Sequence, residues 1–442
     1  MRRRIAVIAA LAAGLLCALC AASTAYAAQE IRLWHAMSGA SGAELDELAS
    51  RFNASQSEFK VVPVYKGAYD QTLAAALAAR KQASGPHIVQ VYEVGTADIM
   101  SVKDAVRPLW QVMHEAGVDL DSKFVPAIAG YYSDTHGRLL ALPFNTATPV
   151  LFYNRDAFKR AKLDPGHPPQ TWYEMPNALG ALRESGVNCP FTTAWPSWVL
   201  LENMSAWHNQ EFATYHNGMD SPKARLSFNT RLMMRWISML SSWMKSGYFV
   251  YSGRGNEAEA RFASGECAVL TSSSASAGEL RQKAKFDFGI AQLPYYDDFA
   301  GSPQNTLVGG AGLWVMNGKP KAEYAGVARF LGFLSRPDVQ AEWHQKTGYV
   351  PATINAYELT RKAGFYASNP GQEIALKQLL LKNPTGESKG IRLGHFPRIR
   401  GIIDEELESV WGGKKTPLEA LNSAVKRGNV ILDRFARNEP VQ

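Results

Sequence analysis

Cysteine is scarce in this chain: four in 442 residues, two of them (Cys17 and Cys20) inside an apolar N-terminal stretch. That count excludes a small scaffold held together by disulfides, and the spacing of Cys189 and Cys267 has no metal-site character. Beyond residue 27 no run is long and apolar enough to cross a bilayer. The usual catalytic signatures are missing as well. There is no H-E-x-x-H, no G-x-S-x-G elbow, no P-loop and no EF-hand loop. Gly309-Gly310-Ala311-Gly312 lacks the G-x-G-x-x-G spacing, and His208 and His216 are not at a helical ligand spacing. Basic residues are scattered rather than gathered into the stripe that a nucleic-acid surface needs, so no nucleic-acid partner is expected.

The compartment is written at the N-terminus. Arg2, Arg3 and Arg4 form a positive region, Ile5 to Ala22 is apolar, and Ala25-Tyr26-Ala27 gives an A-x-A cleavage signature. The reading is a signal peptide of residues 1–27, cleaved after about Ala27, and export of a soluble mature protein. Neither Cys17 nor Cys20 follows a small residue (Leu16, Leu19), which argues against lipoprotein processing. Without the three signal arginines the net charge falls from +7 to about +4, a mild basicity that suits an anionic small ligand. Some 415 residues remain, too many for one compact core, and two lobes are expected. Cys189 and Cys267 are the only thiols left in an oxidising compartment. They can pair there, but their proximity is not legible in the sequence.

Strands and helices alternate after the signal. Ile31 to Trp34, Phe59 to Tyr65 and Ile88 to Tyr92 read as strands, and Asp70 to Ala83 reads as a helix. Ser41-Gly42-Ala43-Glu44 reads as a capping box, followed by Leu45, Leu48, Ala49 and Phe52 on one helical face. Further strands are expected at Val150 to Tyr153, Cys267 to Thr271 and Leu313 to Met316. Further helices are expected at Arg155 to Ala161 and Gly326 to Leu334. Thr416-Pro417-Leu418-Glu419 is a second capping box, with Leu418, Leu421 and Val425 marking one face behind it. Asp404, Glu405, Glu406 and Glu408 read as the solvated face of a helix. In open α/β sheets ligands bind beyond the carboxyl ends of strands. The loops to inspect are therefore those around Tyr69, Glu93 to Thr96, Asn145 to Thr148, Thr271 to Ser276 and Gly309 to Gly312.

Several stretches carry a family likeness. Arg51-Phe52-Asn53, Tyr65-Lys66-Gly67-Ala68-Tyr69, Gln90 to Thr96, Gly130 to Asp134, Pro143-Phe144-Asn145, Trp343 to Tyr349 and Asp404 to Trp411 occur in consistent order. Together they resemble the family 1 extracellular solute-binding proteins. The resemblance implies an α/β fold, the two-lobed periplasmic-binding-protein clamshell of the maltose-binding-protein-like type II, each lobe a mixed sheet flanked by helices. It places one lobe at 28–145 plus 311–356 and the other at 148–308 plus 358–442, with chain crossings near 146–149, 309–310 and 357. The implied role is the substrate-binding component of an ABC importer, without catalysis, cofactor or metal. Its ligand would be sn-glycerol 3-phosphate or a glycerophosphodiester such as glycerophosphocholine. Its partners would be the membrane permease and ATPase complex, and the protein itself a monomer.

Ligand positions carry over residue by residue. Tyr69 and Glu93 match positions on the first lobe, and a carboxylate suits glycerol hydroxyls because it accepts what a diol donates. Arg400, with Arg392 and Arg398 nearby, matches an arginine whose planar fork complements phosphate. Ser273 and Gly310 match a hydroxyl and a backbone contact, and Tyr349 matches a phenolic donor. Trp195 and Trp198 match tryptophans that pack on a glycerol backbone. Asn145-Thr146-Ala147-Thr148 departs from the family's Asn-Ser-Ser-Thr, so Ala147 stands where a ligand-contacting serine is expected. Loss of such a bond costs about 1.5–3 kcal/mol and is expected to weaken phosphomonoesters relative to diesters. Two rival readings stand beside this one. The first is a binding protein for an uncharged sugar or oligosaccharide, for which a buried unpaired Arg400 has little use. The second is a secreted glycosidase or phosphodiesterase, since glycosidase carboxylates such as Glu93 carry no local signature.

Overall fold

The computed structural model describes residues 28–120 and 123–437, so the signal-peptide reading and Cys17 and Cys20 lie outside the described residues. Among the described residues ten strands form two sheets. Strands β1 (Gln29–His35), β2 (Phe59–Tyr65), β3 (Ile88–Tyr92), β4 (Val106–Arg107), β5 (Leu142–Ala147) and β10 (Gly309–Met316) make the first, in the order β2-β1-β3-β10-β4 with β5 also on β10. The β1–β2 and β1–β3 pairs are parallel, as the alternation of strands and helices predicts, whereas β10 returns antiparallel to β3, β4 and β5. The second sheet is β7 (Cys189–Thr193), β8 (Cys267–Ser273), β6 (Pro149–Asn154) and β9 (Phe288–Ala291), in that order.

Burial explains the patterning. In β1 the side chains of Ile31 and Leu33 are fully buried, and behind it Leu45, Leu48, Ala49 and Phe52 line the inner face of the helix Gly39–Ala54. That helix starts earlier than the capping box at Ser41 predicts. Ser38 is its N-cap and makes no side-chain bond, while Glu44 pairs with Lys346. At the far end the Thr416 box does form: Thr416 accepts from the Glu419 amide, and Glu419 accepts from the Thr416 amide at 2.8 Å. The expected apolar face is displaced, since Leu418 is exposed and the buried side is Ala420, Leu421, Ala424, Ile431 and Leu432.

Cys189 and Cys267 are joined, their Cα atoms 4.4 Å apart across the first paired position of β7 and β8. Closing a loop of this length (sequence separation 78) stabilises by about 4 kcal/mol in the chain-entropy account. The second core gathers Trp172, Trp236 and Trp243, with Trp172 and Trp236 centroids 4.3 Å apart.

The two sheets are stitched where β5 passes into β6. Every residue of both strands is buried, and only Thr148 separates them. Its carbonyl accepts from Ser274 N–H at 2.9 Å and its hydroxyl bonds that of Thr306. Within β5 itself, the Thr146 carbonyl accepts from Val350 N–H at 2.7 Å and the Thr146 hydroxyl donates to the Val350 carbonyl at 2.9 Å. Gly310 has φ +92°, and a Cβ there would lie 1.9 Å from the Asn145 carbonyl oxygen, so only glycine fits this close approach. Val125, Ala127 and Ile128 pack in one cluster with Val150, Phe152 and Leu270, so the first turn of the helix Pro126–Tyr131 and the residue before it rest on side chains of the second sheet. Among the described residues no helix is long and apolar enough to cross a membrane.

Candidate functional site

The seam between the sheets collects most of the expected residues into two groups. The first is neutral. Tyr69 opens the helix Tyr69–Ala79 directly after Gly67 and Ala68, and its ring stacks on Tyr92 at 5.2 Å, nearly parallel. Its hydroxyl accepts from the Asn145 amide at 2.9 Å. Asn145 in turn accepts from Gln90 at 2.8 Å, and Gln90 accepts from the Ala36 backbone N–H at 2.8 Å. Gln90 and Asn145 are wholly buried, so this relay is fixed by the interior and points the amide at Tyr69. Tyr349 joins the same group. Burial raises its phenol, and hydrogen bonds with Asn145 and Tyr69 oppose the shift. Burial likewise holds the Tyr69 phenol well above its ordinary value, so both hydroxyls stay protonated and able to donate.

Tyr349 is held from behind. It follows Gly348, a left-handed helix terminus, and its ring stacks on Trp343 at 5.9 Å. Its carbonyl accepts from His344 Nδ1 at 2.5 Å, which leaves Nε2 to accept from the Tyr366 hydroxyl at 3.0 Å. This neutral tautomer agrees with an imidazole that burial lowers to about 4.

The second group is charged. Arg400, on the helix Phe396–Trp411, donates from Nε and Nη2 to the two oxygens of Glu202, both at 2.7 Å. Nη2 also donates to Glu93 Oε1 at 2.9 Å. Glu93 begins the turn directly after β3, so this bond links the two sheets' territories. Burial opposes the guanidinium's charge, but Glu202 and Glu93 outweigh it and hold Arg400 above its ordinary value. Burial raises Glu93, with Arg400 pulling the other way. Arg400 is thus not the unpaired guanidinium of the sequence reading. It is a paired one, and only Nη1 has no acceptor among the described residues.

Glu202 was not anticipated. It ends a π-helical turn, Ser197–Glu202, a rare conformation frequent at functional sites. The turn grips the Arg400 helix twice. At one end the Ser197 hydroxyl bonds Asp404 Oδ1 at 2.7 Å, and at the other Glu202 takes the guanidinium. The available signal was a lone acid in the apolar run Val199-Leu200-Leu201-Glu202-Asn203-Met204. The acidic run on the Arg400 helix also differs from the expected solvated face. Asp404 and Glu406 are buried, the first on Ser197, the second on Lys415, Ser423 and Arg427. Glu405 and Glu408 do face outward, paired with Arg427 and Arg254.

The remaining residues line the seam. Ser273 closes β8 opposite Pro149, and its hydroxyl accepts from the Ala275 amide at 3.3 Å. Gly310 sits beside Asn145, and Ala147, buried, pairs with Gly309. Trp198 lies flat enough on Gly309 that a Cβ there would meet its ring at 2.4 Å. Its indole N–H is buried without a partner among the described residues. Trp195 is 42% exposed, at φ +50°, and is anchored by its amide on the Gly255 carbonyl. Arg392 packs over Tyr131 rather than on Arg400, donating to the Tyr131 carbonyl. His208 is a satisfied core histidine between the Met204 carbonyl and the Tyr296 amide.

Residues 47–372 match the family profile described as bacterial extracellular solute-binding protein. The chain is 51% identical over 415 residues to the sn-glycerol-3-phosphate-binding periplasmic protein UgpB of Yersinia pseudotuberculosis, covering 93% of this chain and 94% of that one. Its likeness to the UgpB of Salmonella typhimurium is 50% over 428 residues, or 96% and 98% of the two chains. Among solved structures, UgpB from Mycobacterium tuberculosis in complex with glycerophosphocholine superposes with TM-score 0.75 at 24% identity, covering 92% and 99%. The cyclic alpha-maltosyl-1,6-maltose binding protein from Arthrobacter globiformis does so with TM-score 0.74 at 20% identity, covering 92% and 100%. These neighbours show the fold, the two-lobed architecture with mixed sheets and flanking helices. With the profile spanning most of the chain and half of its residues shared with full-length relatives, the protein belongs to the bacterial extracellular solute-binding protein family.

Proposed function

We propose that the protein captures sn-glycerol 3-phosphate or a glycerophosphodiester at the seam of its two sheets and delivers it to an ABC importer. The observation that carries this reading is the meeting of Glu93, Arg400 and Glu202 beside Tyr69, Asn145 and Tyr349. A guanidinium edge for a phosphate and hydroxyl-binding groups for a glycerol stand within one seam. The end-to-end likeness to glycerol-3-phosphate-binding relatives supports the same ligand class.

In this reading the ligand contacts are Tyr69, Glu93, Ser273, Gly310, Tyr349 and Arg400, with Trp195 and Trp198 against the carbon backbone and Ala147 in place of a serine. The lobes are 28–145 with 311–356 and 148–308 with 358–442, crossing near 146–149, 309–310 and 357. The passage of β5 in one sheet into β6 in the other, and the return through β10, support the first two crossings. The working form is a periplasmic monomer with its signal removed after about Ala27, and nucleic acid is not a partner.

Calorimetric titration with glycerol 3-phosphate, glycerophosphocholine and maltose tests this. Saturable binding of a phosphate ligand at something like micromolar Kd, about −8 kcal/mol, without maltose binding is the expected result. Binding of maltose alone overturns it.

A further inference from the structure

The helix that carries Arg400 starts after His395, a left-handed residue (φ +49°) that gives its own helix no side-chain bond. The amide of His395 finds its acceptor across the seam. Asp98, on the short helix Thr96–Ser101 beyond β3, accepts from His395 N–H at 2.8 Å, and its carboxylate stands 3.4 Å from the His395 ring. A carboxylate at this end of a 16-residue helix meets both an orphan donor and the positive pole of the helix dipole. Among the described residues the Asp98 carboxylate has no other partner.

Two further contacts join the same strip, Ile391 to His395, to the first lobe. The Tyr131 hydroxyl lies within reach of two carbonyls, Ile391 at 3.2 Å across the seam and Glu93 at 2.5 Å on its own side, with one hydrogen for the pair. Arg392 donates to the Tyr131 carbonyl, but its Nε is buried without a partner among the described residues. Separation of the lobes leaves Tyr131 on Glu93 and returns the Arg392 guanidinium to water, so these two contacts hold weakly. The Asp98 bond has no such substitute within its lobe, and a charge-assisted bond is roughly twice as strong as a neutral one. The strip itself is stiff. Asn217, buried, accepts from Arg392 N–H at 2.9 Å and donates to the Glu387 carbonyl at 2.9 Å. It ends a run of three left-handed residues, Tyr215, His216 and Asn217, at φ +56°, +48° and +55°. Such a run is disfavoured for any residue with a Cβ and persists only where the surroundings over-determine it.

Resting on the functional reading above and its two lobes, we propose that Asp98 is a latch for lobe closure. It caps the Arg400 helix from the opposite lobe once ligand has drawn the lobes together, and so slows release of a ligand it does not touch. A bond made only in the closed form adds to affinity through the dissociation rate. Asp98 is thus a positioning residue, acting through the helix rather than on the ligand.

The test is stopped-flow tryptophan fluorescence on wild type, D98A and D98N with glycerol 3-phosphate as the probe. D98A is expected to release the probe roughly tenfold faster, at an unchanged association rate and with the melting temperature of ligand-free wild type. D98N, which keeps an oxygen for the His395 amide but not the charge, is expected to fall between the two. A folded D98A with the wild-type dissociation rate overturns the proposal, as does a loss confined to the association rate. If D98A does not fold, hydrogen exchange on wild type decides. The His395 amide is expected to exchange more slowly with the probe bound, and equal exchange with and without it overturns the latch. Wild type that binds neither glycerol 3-phosphate nor glycerophosphocholine overturns the functional reading itself, and the latch with it.

Discussion

The two groups at the seam bury polarity in different ways. The neutral one, from Ala36 through Gln90 and Asn145 to Tyr69, is a chain of single hydrogen bonds in which each donor has one acceptor. The charged one concentrates three formal charges on Arg400, Glu202 and Glu93, with Asp404 held close by through Ser197. A neutral relay loses one bond when a member is removed. A buried charge cluster loses its balance, because the surviving ion stays in a medium that penalises it. The neutral wall therefore supplies shape and donors at modest risk, while the charged wall carries most of the site's fragility.

The largest effect is expected from breaking the charged wall. R400A leaves Glu202 buried without its counter-ion and is expected to cost about 3–5 kcal/mol in urea denaturation, with loss of phosphate binding. R400K is expected to keep part of the stability but not the fork to Glu202.

A pH-dependent test follows from Asp404. Burial raises its carboxyl from 3.8 to about 6, against the opposing hydrogen bond of Ser197. The folded state thus holds this proton more tightly than the unfolded chain. The associated stability is fully present below pH 3.8 and is lost as pH rises through about 6. D404N, whose amide oxygen still accepts from Ser197, is expected to exceed wild type by roughly 2–3 kcal/mol at pH 7.5 and to match it near pH 4. Thermal melts at both values check this, and a gain at pH 4 alone contradicts it.

Within the neutral wall, N145A strips partners from Gln90 and Tyr69 and is expected to cost about 1–3 kcal/mol, with little dependence on salt. A cost equal to that of R400A would erase the contrast between the walls. Smallest in stability is A147S, which adds a single hydroxyl at a buried strand end. It is expected to leave the melting temperature in place while raising the ratio of monoester to diester affinity roughly tenfold.

Legibility in the sequence followed locality. Strand β2, β3, the cystine partners as candidates and the Thr416 box were visible because alternation, composition and capping act within a few residues. Of the proposed ligand residues, Tyr69 and Glu93 were visible as residues of loops beyond strand ends, whereas Tyr349 and Arg400 were reachable only through family likeness, because nothing near them in sequence shows that they converge. Glu202 escaped, and Asn145 was visible as a loop residue but not as a relay, because these roles exist only across 198 and 55 residues of intervening chain. The Asp404–Glu408 run was misjudged by composition alone. Asp404 and Arg400 are one helical turn apart, so their shared face was open to inference from spacing. The Ser41 box failed because its glutamate is drawn to Lys346, a partner 302 residues away.

The most direct test of the central claim is a crystal structure of the mature protein grown with glycerophosphocholine. The account places a phosphate oxygen on Arg400 Nη1, with Glu202 still on Nε and Nη2, and a glycerol hydroxyl on Glu93. A ligand bound away from Arg400, or an Arg400 released from Glu202 to meet the phosphate with its Nε–Nη2 edge, would contradict it.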